Sequence, residues 1–379
     1  MAQPSSDATW YVNSAAGEWT TAPLAGVMAF HRTLPGYEPT QLVELPGLAA
    51  ELGVARLFVK DESSRLGLPA FKILGAAYAV SRALSGRFGI IDRALPLEEL
   101  RRLICMQGSV ELIAATDGNH GRAVARVARL IGARAHIFYP SSLTAEAKRA
   151  IASEQAETTE LTADYDGVVS AAAEATSAAG EDALLIQDMS WPGYEQVPEW
   201  IVDGYSTLFE EAGNQLAERG IDAPDLIALP VGVGSLLHAA VRHYRSRMAT
   251  LRPAVLSVEP VNAPAIMRSL QAGRRLTVQT HPTIMAGLNC GTPSEIAWPY
   301  IEAGLDAAVI VTEEQAAAAV HDLETAGVDS GPCGAAALAG VRVALGQHRD
   351  SLALASGANA TVLLINTEGR AANPLPLGM

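Results

Sequence analysis

The feature that most constrains this chain is a set of short runs rich in Val, Ile, Leu and Phe: RLFVK (56–60), AHIFY (135–139), DLIALP (225–230), AVLSVEP (254–260) and TVLLINTEG (361–369). Each is too short for a buried helix, so each predicts a strand covered on both faces. Between them lie alanine-rich stretches with helical spacing. In the stretch from residue 121, for example, Val124, Val127, Ala128 and Ile131 fall on one face. Strands alternating with helices of this length imply parallel sheets with crossovers. The expected fold class is α/β, with two open, mostly parallel twisted sheets carrying helices on both faces. At 379 residues, and roughly 150 per domain, there is room for more than one compact unit. No stretch rich in Pro, Gly or Ser marks a boundary, and the alanine runs at 171–179 and 316–319 read as helix.

Charge narrows the partners. With 27 Lys and Arg against 41 Asp and Glu the net charge is -14, which repels a phosphate backbone or an anionic membrane, so neither nucleic acid nor membrane is an expected partner. The segment MAQPSSDATWYVNSAAGEW has neither a basic n-region nor an apolar h-region, and no apolar run reaches the roughly 18 residues of a span. Cys105, Cys290 and Cys333 are widely spaced, forming neither a disulfide framework nor a paired metal site, and the eight histidines include no HExxH pair. The expectation is a cytoplasmic protein without a metal. Lysine is scarce: only Lys60, Lys72 and Lys148 can supply an amine. Lys60 precedes Asp61 and Glu62, which would keep it protonated, and Lys148 sits in the polar helix TAEAKRA.

Four segments carry chemistry. In KDESSRLGLPAFKILGAAYAV, Lys72 lies between Phe71 and Ile73 at a helix start, an apolar setting that would lower its pKa and make it a nucleophile; the ordinary alternative is a lysine snorkelling along that start. In ATDGNHGRAVARVARLIG a polar turn opens an amphipathic helix, whose backbone N–H groups can bind an anion. An Asx cap accounts for any one of its residues but poorly for Asp117, Asn119 and His120 together, and His120 alone reads as a hydrogen-bonded structural histidine. In LIALPVGVGSLLHAAVRHY a strand runs into Gly232, Val233, Gly234 and Ser235 and then a helix, a geometry that suits a phosphate. It is not a P-loop, and alone such a GxG turn is more often packing than binding. Finally, LLINTEGR places Asn366, Thr367 and Glu368 at a strand end, where open sheets bind ligands. A reactive lysine, a phosphate cup, an Asn turn and a strand-end hydroxyl together match the needs of pyridoxal phosphate.

The order FKxxGA, GNHG, glycine loop and polar strand end resembles the fold-type II pyridoxal phosphate enzymes, the group of serine and threonine dehydratases and tryptophan synthase β. Within it the chain is similar to the diaminopropionate ammonia-lyase family, on the segments VKDESSRLGLPAFKILGAAYA, ATDGNHGRAVA, QDMSWPGYEQVPEWIVDGY, MAGLNCGTPSEIAW and INTEG. The likeness spans roughly residues 56–369, and residues 187–205 are its most specific part.

That resemblance implies a cofactor in a cleft between a large domain, residues 1–75 and 201–379, and a smaller inserted domain, residues 76–200, in a homodimer. It implies that Lys72 forms an imine with pyridoxal phosphate and Asn119 hydrogen-bonds its phenolic oxygen. Gly232, Val233, Gly234 and Ser235 would hold its phosphate, and Thr367 would face the ring nitrogen. Asp117, where dehydratases of the group carry a small residue, would act with Lys72 as bases on opposite faces, and Asp188 would meet the substrate's amino end. The implied reaction is elimination of ammonia from 2,3-diaminopropionate to pyruvate and ammonia. The alternatives are a serine, threonine or hydroxyaspartate dehydratase or β-replacing enzyme and, from another class, a non-catalytic phosphate-ligand-binding protein. Two departures bear on the substrate: Pro332 and Cys333 replace an expected Glu-Ser pair, and Arg370, Ala371, Ala372 and Asn373 replace acidic residues.

Overall fold

The structure is a computed structural model describing residues 9–17, 21, 24–246, 252–352, 357–376 and 378–379. Its strands are β1 (Trp10–Val12), β2 (Leu42–Glu44), β3 (Arg56–Asp61), β4 (Glu111–Ala115), β5 (Arg134–Pro140), β6 (Glu157–Leu161), β7 (Ala183–Leu185), β8 (Leu226–Pro230), β9 (Ala254–Pro260), β10 (Ala307–Val311) and β11 (Thr361–Asn366). All five sequence runs form strands, the last ending at Asn366.

Two compact units divide the chain. The larger comprises residues 1–24, 39–64 and 208–379, and the smaller comprises residues 25–38 and 65–207. In the larger, seven strands follow the order β1-β10-β9-β8-β11-β3-β2. Its inner pairs are parallel and only the edge strands β1 and β2 run antiparallel. Every residue of β8, β10 and β11 is buried, as expected of strands covered on both faces. One face packs on the helix Pro332–Gln347, whose run of Ala, Gly, Leu and Val lets it lie close to β8 and β11. In the smaller unit β6-β5-β4-β7 are parallel throughout, with the helices Asn119–Ile131 and Tyr165–Ala179 packed on them.

Strand order sets what meets at each sheet edge. In the larger unit β8 and β11 are parallel neighbours, so the glycine loop after β8 and Thr367 after β11 emerge at the same edge. In the smaller unit β4 and β7 are parallel neighbours, so the turn holding Asp117 and the loop holding Asp188 do likewise.

Candidate active site

In the smaller unit Lys72 precedes the helix Ile73–Arg87 and Asp188 lies three residues beyond β7. Lys72 Nζ donates to Asp188 Oδ2 at 2.7 Å, while the rings of Phe71 and Tyr205 stand 5.2 and 5.8 Å from the amine. The wholly apolar setting expected for Lys72 is therefore corrected. Ile73 and Leu74 bury their side chains in the core, and a carboxylate 116 residues away stabilises the charged amine.

Asp188 sits in a braced loop. Gln187 Nε2 donates to Tyr165 Oη at 2.8 Å, and Gln187 Oε1 accepts from the backbone N–H of Ala115, tying the loop to the end of β4. Tyr194 Oη accepts from the Gln187 N–H and donates to the Leu185 carbonyl, with its ring stacked on Trp191. Tyr205 is fully buried behind Lys72. Burial alone would raise the Asp188 carboxyl, but the charge of Lys72, with the Lys72 hydrogen bond, holds it well below the carboxylate range.

Asp117 is tuned the opposite way. Its surface is partly exposed, yet it lies deep among protein atoms. Burial first, and the Asp188 carboxylate second, push it up to about 7 against the opposing charge of Lys72. Capping of the helix Asn119–Ile131 does not consume it: Thr116 Oγ1 accepts from the N–H groups of Gly118 and Gly121, each at 2.9 Å. Asn119 is the first residue of that helix and half-buried. His120 Nε2 bonds the Ile186 carbonyl at 2.7 Å, and its Nδ1 stands 3.9 Å from Asp188 Oδ2.

The smaller unit thus brings Lys72, Asp117 and Asp188 within electrostatic reach of one another. Gln187, Tyr194 and Tyr205 belong to the most specific stretch of the sequence resemblance but carried no assigned role. Tyr165, in the Ala-rich helix, had no signal of its own.

The larger unit holds Gly232, Val233, Gly234, Ser235 and Thr367. A Cβ on Gly232 would come within 3.0 Å of Cys290 Sγ and 3.1 Å of the Gly287 carbonyl, and Gly234 takes a left-handed φ of 98°. The Ser294 N–H fixes the loop by donating to the Val233 carbonyl, and the helix Ser235–Tyr244 follows directly. A backbone this close-packed and aimed at a helix start fits a phosphate group. Asn366 ties loops together, since its amide donates to Asp61 Oδ1 and to the Asp329 carbonyl and accepts from Ser330 Oγ. The departures fit local packing, since Cys333 is buried 3.6 Å from Asn373 Nδ2, and Arg370 pairs with Asp329 and Glu324.

The other two lysines are engaged elsewhere. Lys60 is fully buried and paired with Glu211 at 2.7 Å, and Lys148 pairs with Glu160 at the surface.

A family model described as pyridoxal-phosphate dependent enzyme matches residues 33–368, and the chain belongs to that family. It is 34% identical over 364 residues to the diaminopropionate ammonia-lyase of Salmonella typhimurium, covering 90% of this chain and 88% of the relative. The crystal structure of holo diaminopropionate ammonia lyase from Escherichia coli superposes with a TM-score of 0.87 at 31% identity, covering 96% of this chain and 93% of that one. A structure of the same enzyme in complex with D-serine gives a TM-score of 0.87 at 30% identity, over 96% of this chain and 94% of that one. Within the larger family, the chain is a member of the diaminopropionate ammonia-lyase family. No helix among the described residues is long and apolar enough to cross a membrane.

Proposed function

We propose that this protein is a pyridoxal phosphate-dependent lyase that eliminates ammonia from 2,3-diaminopropionate, giving pyruvate and ammonia. The observation that carries this reading is the pair of oppositely tuned carboxylates beside Lys72: Asp117 raised to about 7 and Asp188 held well below its usual range. A group titrating near neutrality can take or return a proton in turnover, whereas one that stays ionised can hold a cation. The substrate carries an ammonium on Cβ as well as on Cα, so a fixed carboxylate is the complement it needs.

When bound, pyridoxal phosphate supplies an electron sink for the substrate's α-carbon. Lys72 would hold it covalently, Asn119 through its phenolic oxygen, Gly232, Val233, Gly234 and Ser235 through backbone amides to the phosphate, and Thr367 at the ring nitrogen. Lys72 Nζ and Asp117 are the groups able to receive an α-proton, and Asp188 orients the amine that departs. Tyr165 and Gln187 keep the Asp188 carboxylate aimed by bonding it and its own strand end.

We further propose a domain division at residues 75/76 and 200/201. The two compact units support it, although the smaller also takes residues 25–38, 65–75 and 201–207. A cytoplasmic homodimer completes the proposal; three cysteines that are all free suit a reducing compartment, and dimerisation rests on the family likeness.

Purified protein with pyridoxal phosphate should release pyruvate from 2,3-diaminopropionate, and Lys72→Ala should abolish both turnover and borohydride-reducible cofactor. Absence of pyruvate from both enantiomers would refute the reading, and turnover of serine alone would make the protein a dehydratase.

A further inference from the structure

We propose that His120 is the proton store of the site, taking on Nδ1 the proton that leaves the Lys72 and Asp188 pair during turnover. The inference rests on the elimination reading and adds to it a residue that acts through Asp188.

The tautomer comes first. The Ile186 carbonyl can only accept, so Nε2, 2.7 Å away, carries the hydrogen. In the neutral ring Nδ1 is then a bare acceptor. It is buried and has no hydrogen-bond partner among the described residues. A purely structural histidine is satisfied through Nε2 and leaves that buried nitrogen unexplained, because an unmade hydrogen bond in the interior costs stability.

Its position supplies the explanation. Nδ1 faces Asp188 Oδ2 at 3.9 Å, and the same oxygen takes the Lys72 hydrogen bond at 2.7 Å. Lys72 Nζ, Asp188 Oδ2 and His120 Nδ1 thus form one chain of neighbours. The gap of 3.9 Å is beyond a hydrogen bond and is what two acceptors with no proton between them should show. A proton placed on either atom turns repulsion into a bond.

The electrostatics agree. Burial holds the imidazole below its ordinary range, so it rests neutral and able to accept. The charged groups acting on the ring are Asp188, from the loop after β7, which raises it, and Lys72, from the turn before Ile73–Arg87, which lowers it. Once Lys72 gives up its charge only the Asp188 influence remains, and Nδ1 becomes the better base at the moment a proton must be stored. In the step itself an N–H bond of the Lys72 ammonium breaks, the proton passes across Asp188 Oδ2, and a bond from hydrogen to His120 Nδ1 forms. Lys72 becomes neutral, Asp188 is left a carboxylate as before, the ring becomes imidazolium, and no electrons are exchanged with any other species.

Two measurements on the holoenzyme test this. Nitrogen NMR of histidine-labelled protein, with the His120 signal identified by its loss in His120→Gln, should show Nε2 protonated and Nδ1 bare in the resting enzyme. A protonated Nδ1 overturns the proposal without any assay of turnover. Second, His120→Gln keeps a donor for the Ile186 carbonyl and removes Nδ1. The expected result is a fall in kcat of roughly 10²-fold with KM unchanged, an altered pH profile and a larger solvent isotope effect. Wild-type kcat and pH profile in this variant overturn the proposal. A wild-type enzyme releasing no pyruvate overturns the elimination reading instead, and the Nδ1 state in the spectrum still decides where the acceptor lies.

Discussion

Replacing Asp117 by Asn removes one charge and leaves the shape unchanged, which makes it a clean probe of how this site is tuned. Burial and the Asp188 carboxylate raise the Asp117 carboxyl from 3.8 to about 7, with Lys72 opposing. At about 1.4 kcal/mol per pH unit the ionised form would cost the fold about 4 kcal/mol, which screening at its partly exposed surface reduces to about 2–3 kcal/mol. The sign follows from the protons bound. Below 3.8 both folded and unfolded chains hold the proton and nothing is lost. As pH rises from there toward 7 the unfolded chain has released a proton that the folded chain retains, so stability falls; above 7 the full cost is present. Asp117→Asn should therefore be more stable than the wild type by an amount that grows from about pH 4 to about pH 7 and is level beyond, read from urea midpoints of the cofactor-free protein. The same variant should lose turnover of whichever enantiomer presents its α-proton to Asp117, a gain in stability at the expense of function. A stability difference that is constant with pH, or that shrinks as pH rises, would refute the argument.

Two further outcomes follow from packing and from buried charge. A Cβ at position 75 would lie 2.5 Å from Tyr205 Cε1 and 2.9 Å from the Ile201 carbonyl, so Gly75→Ala should cost about 1–3 kcal/mol, seen as a lower Tm. It should also reduce the amount of cofactor trapped by borohydride, because Lys72 stands one turn before the clash. Lys60→Ala removes the cation paired with the buried Glu211 carboxylate and should cost about 3–5 kcal/mol in a denaturant titration, while cofactor remains trapped on Lys72.

Much of the fold was legible because the buried strands of a parallel sheet announce themselves by composition: β3, β5, β8, β9 and β11 were all found as apolar runs. The strands that escaped have local reasons. β6, ETTEL, is a polar edge strand; β1, β2 and β7 are three residues each; and β4, ELIAA, and β10, AAVIV, share the alanine content of the chain's helices. Only pairing with a neighbour fixes such segments as strands.

The site divides in the same way. The sequence by itself determined the chemistry available: three lysines, one of them in the FKILGA segment, the turn carrying Asp117 and Asn119, and a glycine loop after a strand. Tertiary structure decided which charges meet. Neighbouring residues Phe71, Ile73 and Leu74 suggest an apolar lysine, yet the order β6-β5-β4-β7 carries Asp188 to within 2.7 Å of Lys72 across 116 residues, and Glu211 reaches Lys60 across 151. Periodicity and composition report on the residues adjacent in the chain, whereas pKa values and proton paths depend on groups adjacent in space. That is why the lysine could be named from the sequence, while its carboxylate partner and the bare nitrogen of His120 beyond it could be assigned only from the fold.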